Sequence, residues 1–100
     1  MNPMNITNEE VDRTIKERGE VYGDPRLSHI NIGLSWTGLI QQHYGVVLDH
    51  PIPASLVAQM MTSFKMQRAA RVHKIDNYVD AQAYVTFANQ FQIDESSELK

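Results

Sequence analysis

The sequence contains no cysteine among its 100 residues. Disulfide bridges, thiol catalysis and cysteine-ligated zinc are therefore excluded for this chain, and the absence is typical of a protein of a reducing compartment. No apolar run approaches the ~20 residues of a membrane-spanning helix, and the first eight residues lack the apolar core of a signal peptide. The composition predicts a cytoplasmic protein that does not associate with a membrane.

Charge of either sign is also modest, since 9 basic and 12 acidic side chains give a net charge of −3. A weakly acidic chain has no global positive field that would attract a polyanion, so general nucleic-acid binding is not expected. A single domain of this size buries only about two-thirds of its unfolded surface, and association with further copies would add stability. We therefore expect a homo-oligomer.

Apolar spacing predicts four helices. Thr7 and Glu10 fit a capping box at the start of the first helix, and Gly23 ends that helix as a left-handed cap. The second helix is expected to begin at Asp24 and to stop at Gly45. Because its apolar residues spread around more than one face, it is predicted to be the central, most buried helix.

Pro51 and Pro53 predict an extended connector after the second helix, over residues 46–53. The third helix is then expected from about Pro53 to Val72, and the fourth is expected to be capped by Asp76 or Asn77. Pro53 fits the start of a helix because a proline is tolerated there.

The predicted fold is all-α, a compact bundle of about four helices. A single helical domain is expected over residues 1–93, followed by a flexible polar tail over residues 94–100. Gly33 and Gly38 each cost the second helix roughly 1 kcal/mol of helix propensity. Both are expected to let a neighbouring helix or a ligand approach the backbone.

Three of the helices place charges on their apolar lines. The charges are Arg18, Lys65 with Arg68, and Asp80. Buried charges are tolerated only when they are paired or face a ligand. An internal ion-pair network and a polar cleft between helices are both compatible with this pattern.

Positive charge is concentrated in one segment. No acidic residue occurs from His50 to Ile75. Its basic side chains are Lys65, Arg68, Arg71, His73 and Lys74. Guanidinium and ammonium groups match phosphate oxygens, which predicts an anion site. Cations near a helix C-terminus also offset the helix dipole by ~0.3–1 kcal/mol each without any ligand, so both explanations remain open.

Carboxylates occur in two pairs, Glu17 with Glu20 and Asp76 with Asp80. Each spacing puts two carboxylates on one face of a helix, as a magnesium site in a helical bundle requires. The same spacing also occurs on solvated helix faces. The aromatic residues are equally ambiguous, because they fit either a core or a surface that stacks on a base.

Read in order, three segments resemble a known arrangement. They are Arg18-x-x-x-Tyr22-Gly23, Lys65-x-x-Arg68 and Asp76-Asn77-x-x-Asp80-x-x-x-Tyr84. The set covers roughly residues 13–88 and is similar to small phage proteins of the nucleotide-modification-associated type. Those proteins are distant relatives of the all-α MazG-like nucleotide pyrophosphohydrolases. The resemblance implies a phage protein that acts in the cytoplasm of a host bacterium.

In the MazG-like hydrolases, a Glu-x-x-Glu and a Glu-x-x-Asp hold magnesium, and a lysine contacts phosphate. Carried over to this sequence, the metal ligands would be Glu17, Glu20, Asp76 and Asp80, and the lysine would be Lys65. The second acidic pair is spaced here by four residues instead of three. This departure puts a complete metal cage in doubt.

The resemblance implies first a protein that binds and sequesters a nucleotide without cleaving it and needs no cofactor. Its ligand would be a nucleotide, with a cyclic dinucleotide immune signal as a candidate, in the manner of an anti-CBASS sponge. The expected ligand-binding residues are Arg18, Tyr22, Trp36, Lys65, Arg68, Arg71, Asp80 and Tyr84. The alternatives are a magnesium-dependent nucleotide pyrophosphohydrolase and a structural or interaction protein with internal ion pairs only.

Overall fold

The computed structural model describes residues 6–98, except for the side chains of residues 18–22. It contains the helices α1 (Asn8–Tyr22), α2 (Pro25–Tyr44), α3 (Ala54–Arg71) and α4 (Ile75–Glu98). No strand occurs within residues 6–98. The prediction of an all-α fold with four helices is confirmed. None of these helices combines the length and the apolar character needed to cross a bilayer.

The ends of the first two helices follow the local capping chemistry. The Glu10 N–H donates to Thr7 Oγ1 at 3.1 Å, and the Thr7 N–H donates to Glu10 Oε2 at 3.0 Å, which completes the capping box. At the start of α2, the Arg26 N–H donates to Asp24 Oδ1 at 2.9 Å. Gly45 ends α2 in the left-handed conformation, with φ 63°. The predicted boundaries of α2 are confirmed.

The start of α4 differs from the prediction. The helix begins at Ile75, so neither Asp76 nor Asn77 is its cap. The Asn77 N–H instead donates to the Lys74 carbonyl at 3.1 Å, because the short turn after α3 lets the first turn of α4 close on backbone groups.

The other end of α4 extends through residues 94–98, which were expected to form a flexible tail. Contacts with two other helices hold this segment in place. Glu95 accepts hydrogen bonds from Ser55 Oγ at 2.5 Å and from the Ser55 N–H at 3.2 Å, so its carboxylate caps the N-terminus of α3. Arg26 of α2 pairs with Asp94 and Glu98.

The core lies mainly between α3 and α4, which pack against each other more extensively than any other pair of helices. Small side chains of α3, Ala54 and Ala58, face Phe87 and Phe91 of α4. Because alanine is small, the two helices can approach closely while the phenylalanine rings fill the space around them. Ile15 of α1 packs on the same cluster.

The prediction that α2 is the most buried helix is wrong. Only His29 and Gly33 are buried in it, and Leu27, Leu34 and Leu39 are exposed. The apolar residues do surround α2, as the sequence indicated, but the other described helices cover only part of its circumference.

Gly33 allows a close approach, as predicted, but the approaching segment is the connector. A Cβ at this position would overlap the Ile52 carbonyl oxygen. Thr37 fixes the contact, since its hydroxyl donates to the Gly33 carbonyl at 2.7 Å and accepts from the Ile52 N–H at 2.8 Å. Gly38 is different, because nothing lies within 4 Å of the position of its Cβ.

Candidate anion-binding site

A pocket of about 410 Å³ opens where the end of α3 meets the first turn of α4. It is lined by Phe64, Gln67, Arg68, Arg71, Val72, Lys74 and Asn77. The short turn between the helices places the last turn of α3 beside the start of α4. Residues from both helices therefore contribute to one surface.

The pocket contains three cations, Arg68, Arg71 and Lys74. Among the described side chains, no carboxylate lies within ion-pair distance of any of them. All three residues are exposed, so their charges are solvated and accessible to a ligand. Within the described part of the chain, the pocket therefore presents a positive surface that no carboxylate neutralises, on a chain that is acidic overall.

An aromatic ring borders these charges. The Arg68 guanidinium lies over the Phe64 ring, 5.6 Å from its centroid. Phe64 is 50% exposed, so part of its ring remains open to solvent. Phe64 and Arg68 share a helix face because they are four residues apart. The site thus combines cationic donors with an apolar planar surface.

Lys65 and Asp80 form an ion pair beside the pocket. Lys65 Nζ lies 3.0 Å from Asp80 Oδ2, and the two side chains are only 12% and 16% exposed. The structure thus pairs two charges from the apolar lines of α3 and α4, and it leaves Arg68 of the same helix at the pocket. The ion-pair interpretation of the charge pattern therefore applies to Lys65 and Asp80, and the polar cleft for a ligand stays a prediction for Arg68.

A second polar group lies in the core, at a position that no sequence pattern indicated. His29 of α2 is buried against the rings of Tyr84, Phe87 and Phe91, at centroid distances of 5.2–5.9 Å. Its Nδ1 lies 2.7 Å from the Pro25 carbonyl, and Nε2 is buried with no hydrogen-bond partner among the described residues. Burial lowers the pKa of His29, and the Pro25 hydrogen bond opposes this only in part.

This environment predicts a loss of stability in mild acid. Below about pH 6.5 the unfolded chain takes up a proton at His29 that the folded protein resists, because its folded pKa is lowered. The free energy of unfolding should then fall by up to ~1.4 kcal/mol per pH unit, until the folded pKa is reached. Urea unfolding between pH 7.5 and 5.5 measures this loss.

The His29→Phe variant should lack this component of the pH dependence. The matched control is His50→Gln, because His50 is exposed in the connector. An identical pH dependence in wild type and His29→Phe would show that His29 is not responsible.

Other residues from the sequence-based site lie elsewhere. Trp36 is half-buried on α2, and the half-buried Tyr84 packs near His29 and Phe87. Neither residue lines the pocket. The side chains of Arg18, Glu20 and Tyr22 fall outside the described residues.

The acidic set is not assembled in the described part of the chain. Glu17 and Asp76 are exposed, and Asp80 is paired with Lys65. No group of three histidine, aspartate or glutamate side chains that could hold a metal occurs among the described residues. The side chain of Glu20 is outside that set, so the magnesium site stays a prediction.

Sequence reasoning did not single out Phe64, Gln67 and Asn77 as site residues. Asn77 was considered only as a helix cap and as part of the third resembling segment. The only available signal was the spacing of Phe64 and Arg68, which places an aromatic ring and a guanidinium side by side. The spacing indicates a site only after the structure shows that the start of α4 lies beside Phe64 and Arg68.

The fold and the site define a small four-helix protein with a cationic pocket at one end of its α3–α4 pair. The chain belongs to the family described as a domain of unknown function (DUF6378), whose pattern matches residues 7–92. No curated protein and no solved structure matches the chain. The matched segment includes every residue that lines the pocket.

Proposed function

We propose that this protein binds a nucleotide through its phosphate groups, at the pocket between the end of α3 and the start of α4, and holds it without cleaving it. The observation that carries the proposal is the set of three accessible cations beside a half-exposed aromatic ring. Arginine offers a planar fork of donors to phosphate oxygens, and lysine adds a mobile point charge. The local charge favours such an anion although the whole chain is acidic.

The base would lie on the apolar part of the same surface. A pocket of about 410 Å³ is within the ~300–1,000 Å³ typical of small-molecule sites. Phe64 presents an open ring surface, and Arg68 above it adds a cation to the stack. Phosphate and base would therefore contact neighbouring residues of one helix.

Binding without cleavage is supported by the distribution of the carboxylates. The lining of the described pocket contains no acidic side chain. A magnesium-dependent hydrolase needs carboxylates that place the metal next to the reacting phosphate. Asp76 directly precedes the pocket residue Asn77 but does not line the pocket. Asp80 is held by the Lys65 ammonium, with which a metal would have to compete.

The biological role that we propose is sequestration in the cytoplasm of a phage-infected bacterium. The similarity to small phage proteins of the nucleotide-modification-associated type makes a cyclic dinucleotide immune signal the first ligand to test. The competing proposal is a MazG-like pyrophosphohydrolase that uses magnesium. In a third proposal the protein is purely structural and its charges serve only internal ion pairs.

A depletion assay separates these proposals. The purified protein is incubated with nucleoside triphosphates and cyclic dinucleotides, with and without magnesium, and the filtrate is analysed by mass spectrometry before and after heat denaturation. Sequestration requires a ligand that disappears from the filtrate and returns intact on heating. A monophosphate that forms only with magnesium would instead establish hydrolysis. If every nucleotide stays free and unchanged, only the proposal of a structural role remains.

Removal of two pocket cations should weaken binding. In the Arg68→Ala/Arg71→Ala variant, the affinity for the retained nucleotide is expected to fall ~100-fold or more, since each of the two charge-assisted hydrogen bonds contributes about 1.5–3 kcal/mol. Isothermal titration calorimetry measures the change. The control is Arg13→Ala, which removes an exposed guanidinium from α1. Equal affinity in wild type and in the double variant would place the ligand elsewhere.

A further inference from the structure

One face of α2 is apolar, exposed and free of charge. No acidic or basic side chain other than histidine occurs between Arg26 and the end of α2. Leu27, Ile30 and Leu34 are 56%, 37% and 53% exposed and lie on one face because they are three and four residues apart. A solvated helix face of this length ordinarily carries charged residues. The composition of this face is that of a covered surface.

Gly38 continues the same face one turn after Leu34. A Cβ at this position would meet nothing within 4 Å, so the backbone forms an open notch in the surface. Gly33, on another side of α2, is filled by the connector. An exposed glycine within a helix costs roughly 1 kcal/mol of helix propensity. A large side chain from another molecule would fit the notch.

Shallow grooves flank this face on both sides. One groove is lined by Leu27, Ser28, Asn31 and neighbouring residues that include Asp24. The other runs between Leu34 and the segment 51–53, and Arg26, Glu95 and Glu98 line its edge. A ridge of side chains between two grooves is the surface on which helices pack, since the ridge of one helix enters the groove of another. The shape of the face therefore suits a helical partner.

The amount of exposed surface points to the same conclusion. The chain exposes 7215 Å², whereas a compact monomer of 11.4 kDa exposes about 5,800 Å². The chain as a whole thus exposes about 1,400 Å² more than a compact monomer, and a typical specific interface would cover ~800 Å² of each partner. The radius of gyration of 15.1 Å likewise exceeds the ~13 Å expected for 100 residues.

We infer that this face binds a second copy of the same chain, with the two α2 helices antiparallel across a two-fold axis at Leu34. The exposed α2 residues carry no charge, so the centre of the face opposes its own copy without electrostatic repulsion, and the charged residues lie at the edges of the flanking grooves. Ile30 and Gly38 lie four residues before and after Leu34, so this pairing sets Ile30 of each copy against the Gly38 notch of the other. The interface is independent of the nucleotide pocket.

Cysteine cross-linking tests the pairing directly, because the natural chain contains no cysteine. Leu34→Cys is expected to form an intermolecular disulfide on mild oxidation, since a residue on the axis meets its own copy within the ~7 Å that a disulfide spans. A mixture of Ile30→Cys and Gly38→Cys should also cross-link, and Gly38→Cys alone should not. Cross-linking of Gly38→Cys alone would overturn the antiparallel arrangement.

Light scattering coupled to gel filtration tests the interface itself. Wild type should have the mass of a dimer or a larger even-numbered assembly, and Leu34→Glu should halve that mass while circular dichroism still shows a folded helical protein. Val85→Glu, which charges an exposed apolar position on α4, should leave the mass unchanged. A monomeric wild type, or a Leu34→Glu variant of unchanged mass, would overturn the inference.

Discussion

The Lys65→Ala variant is expected to lose about 2–3 kcal/mol of unfolding free energy at neutral pH. Lys65 and Asp80 are both largely removed from solvent and lie 3.0 Å apart. Truncation of the lysine removes an ammonium group 3.0 Å from the Asp80 carboxylate, and the loss of such a contact in a poorly solvated position is costly. Urea unfolding followed by circular dichroism measures the loss.

Two further variants test whether the broken ion pair causes the loss of unfolding free energy in Lys65→Ala. Lys16→Ala removes an exposed lysine from α1 and should change stability by less than about 0.5 kcal/mol. Replacement of both partners in Lys65→Met/Asp80→Leu should recover most of the stability, because the carboxylate that lost the Lys65 ammonium is then absent as well. Unchanged stability of Lys65→Ala would mean that the ion pair contributes nothing to the fold.

The Lys65 variant also bears on function. Lys65 directly follows Phe64 in α3, so a nucleotide that contacts the pocket could also contact the ammonium group. If Lys65 acts only through the ion pair, Lys65→Met/Asp80→Leu should bind nucleotide as well as wild type does. A loss of affinity in the restored double variant, similar to that of Arg68→Ala/Arg71→Ala, would extend the site to Lys65.

Local signals in the sequence predicted the helices well because each signal acts within a few residues. The capping box of Thr7 and Glu10, and the left-handed Gly45, depend only on the neighbouring backbone. The start of α4 was misplaced since the length of the turn before it decided which group closes the first helical turn. The last turns of α4 were missed because Glu95 and Ser55 are forty residues apart.

Local signals of this kind did not predict the burial of α2 or the composition of the pocket. Periodicity shows which residues of a helix share a face, and it does not show which face another helix will cover. Leu34 and His29 look equally ordinary in the sequence, yet one is exposed and the other is buried among aromatic rings. Lys65 and Arg68 were grouped together, and the structure separates them into an ion pair and a pocket.

Gly33→Ala is expected to destabilise the protein by about 2 kcal/mol, although alanine is the better helix former. The added methyl group would overlap the Ile52 carbonyl and lie 3.2 Å from its carbon, where it meets backbone instead of a flexible side chain. The connector would have to move, and the hydrogen bond from the Ile52 N–H to Thr37 would weaken. Thermal unfolding and amide hydrogen exchange at Ile52 measure the two effects.

Ser35→Ala is the matched control, because it lies on the exposed side of the same helix and should change stability by less than about 0.5 kcal/mol. In Gly33→Ala, faster amide exchange than in wild type should be confined to the connector and its contacts with α2. The amides of α4 should remain protected from exchange. A variant as stable as wild type, with unchanged exchange at Ile52, would show that the connector does not rest on Gly33. Gly33 would then no longer differ from Gly38 as a glycine position that another segment of the chain fills.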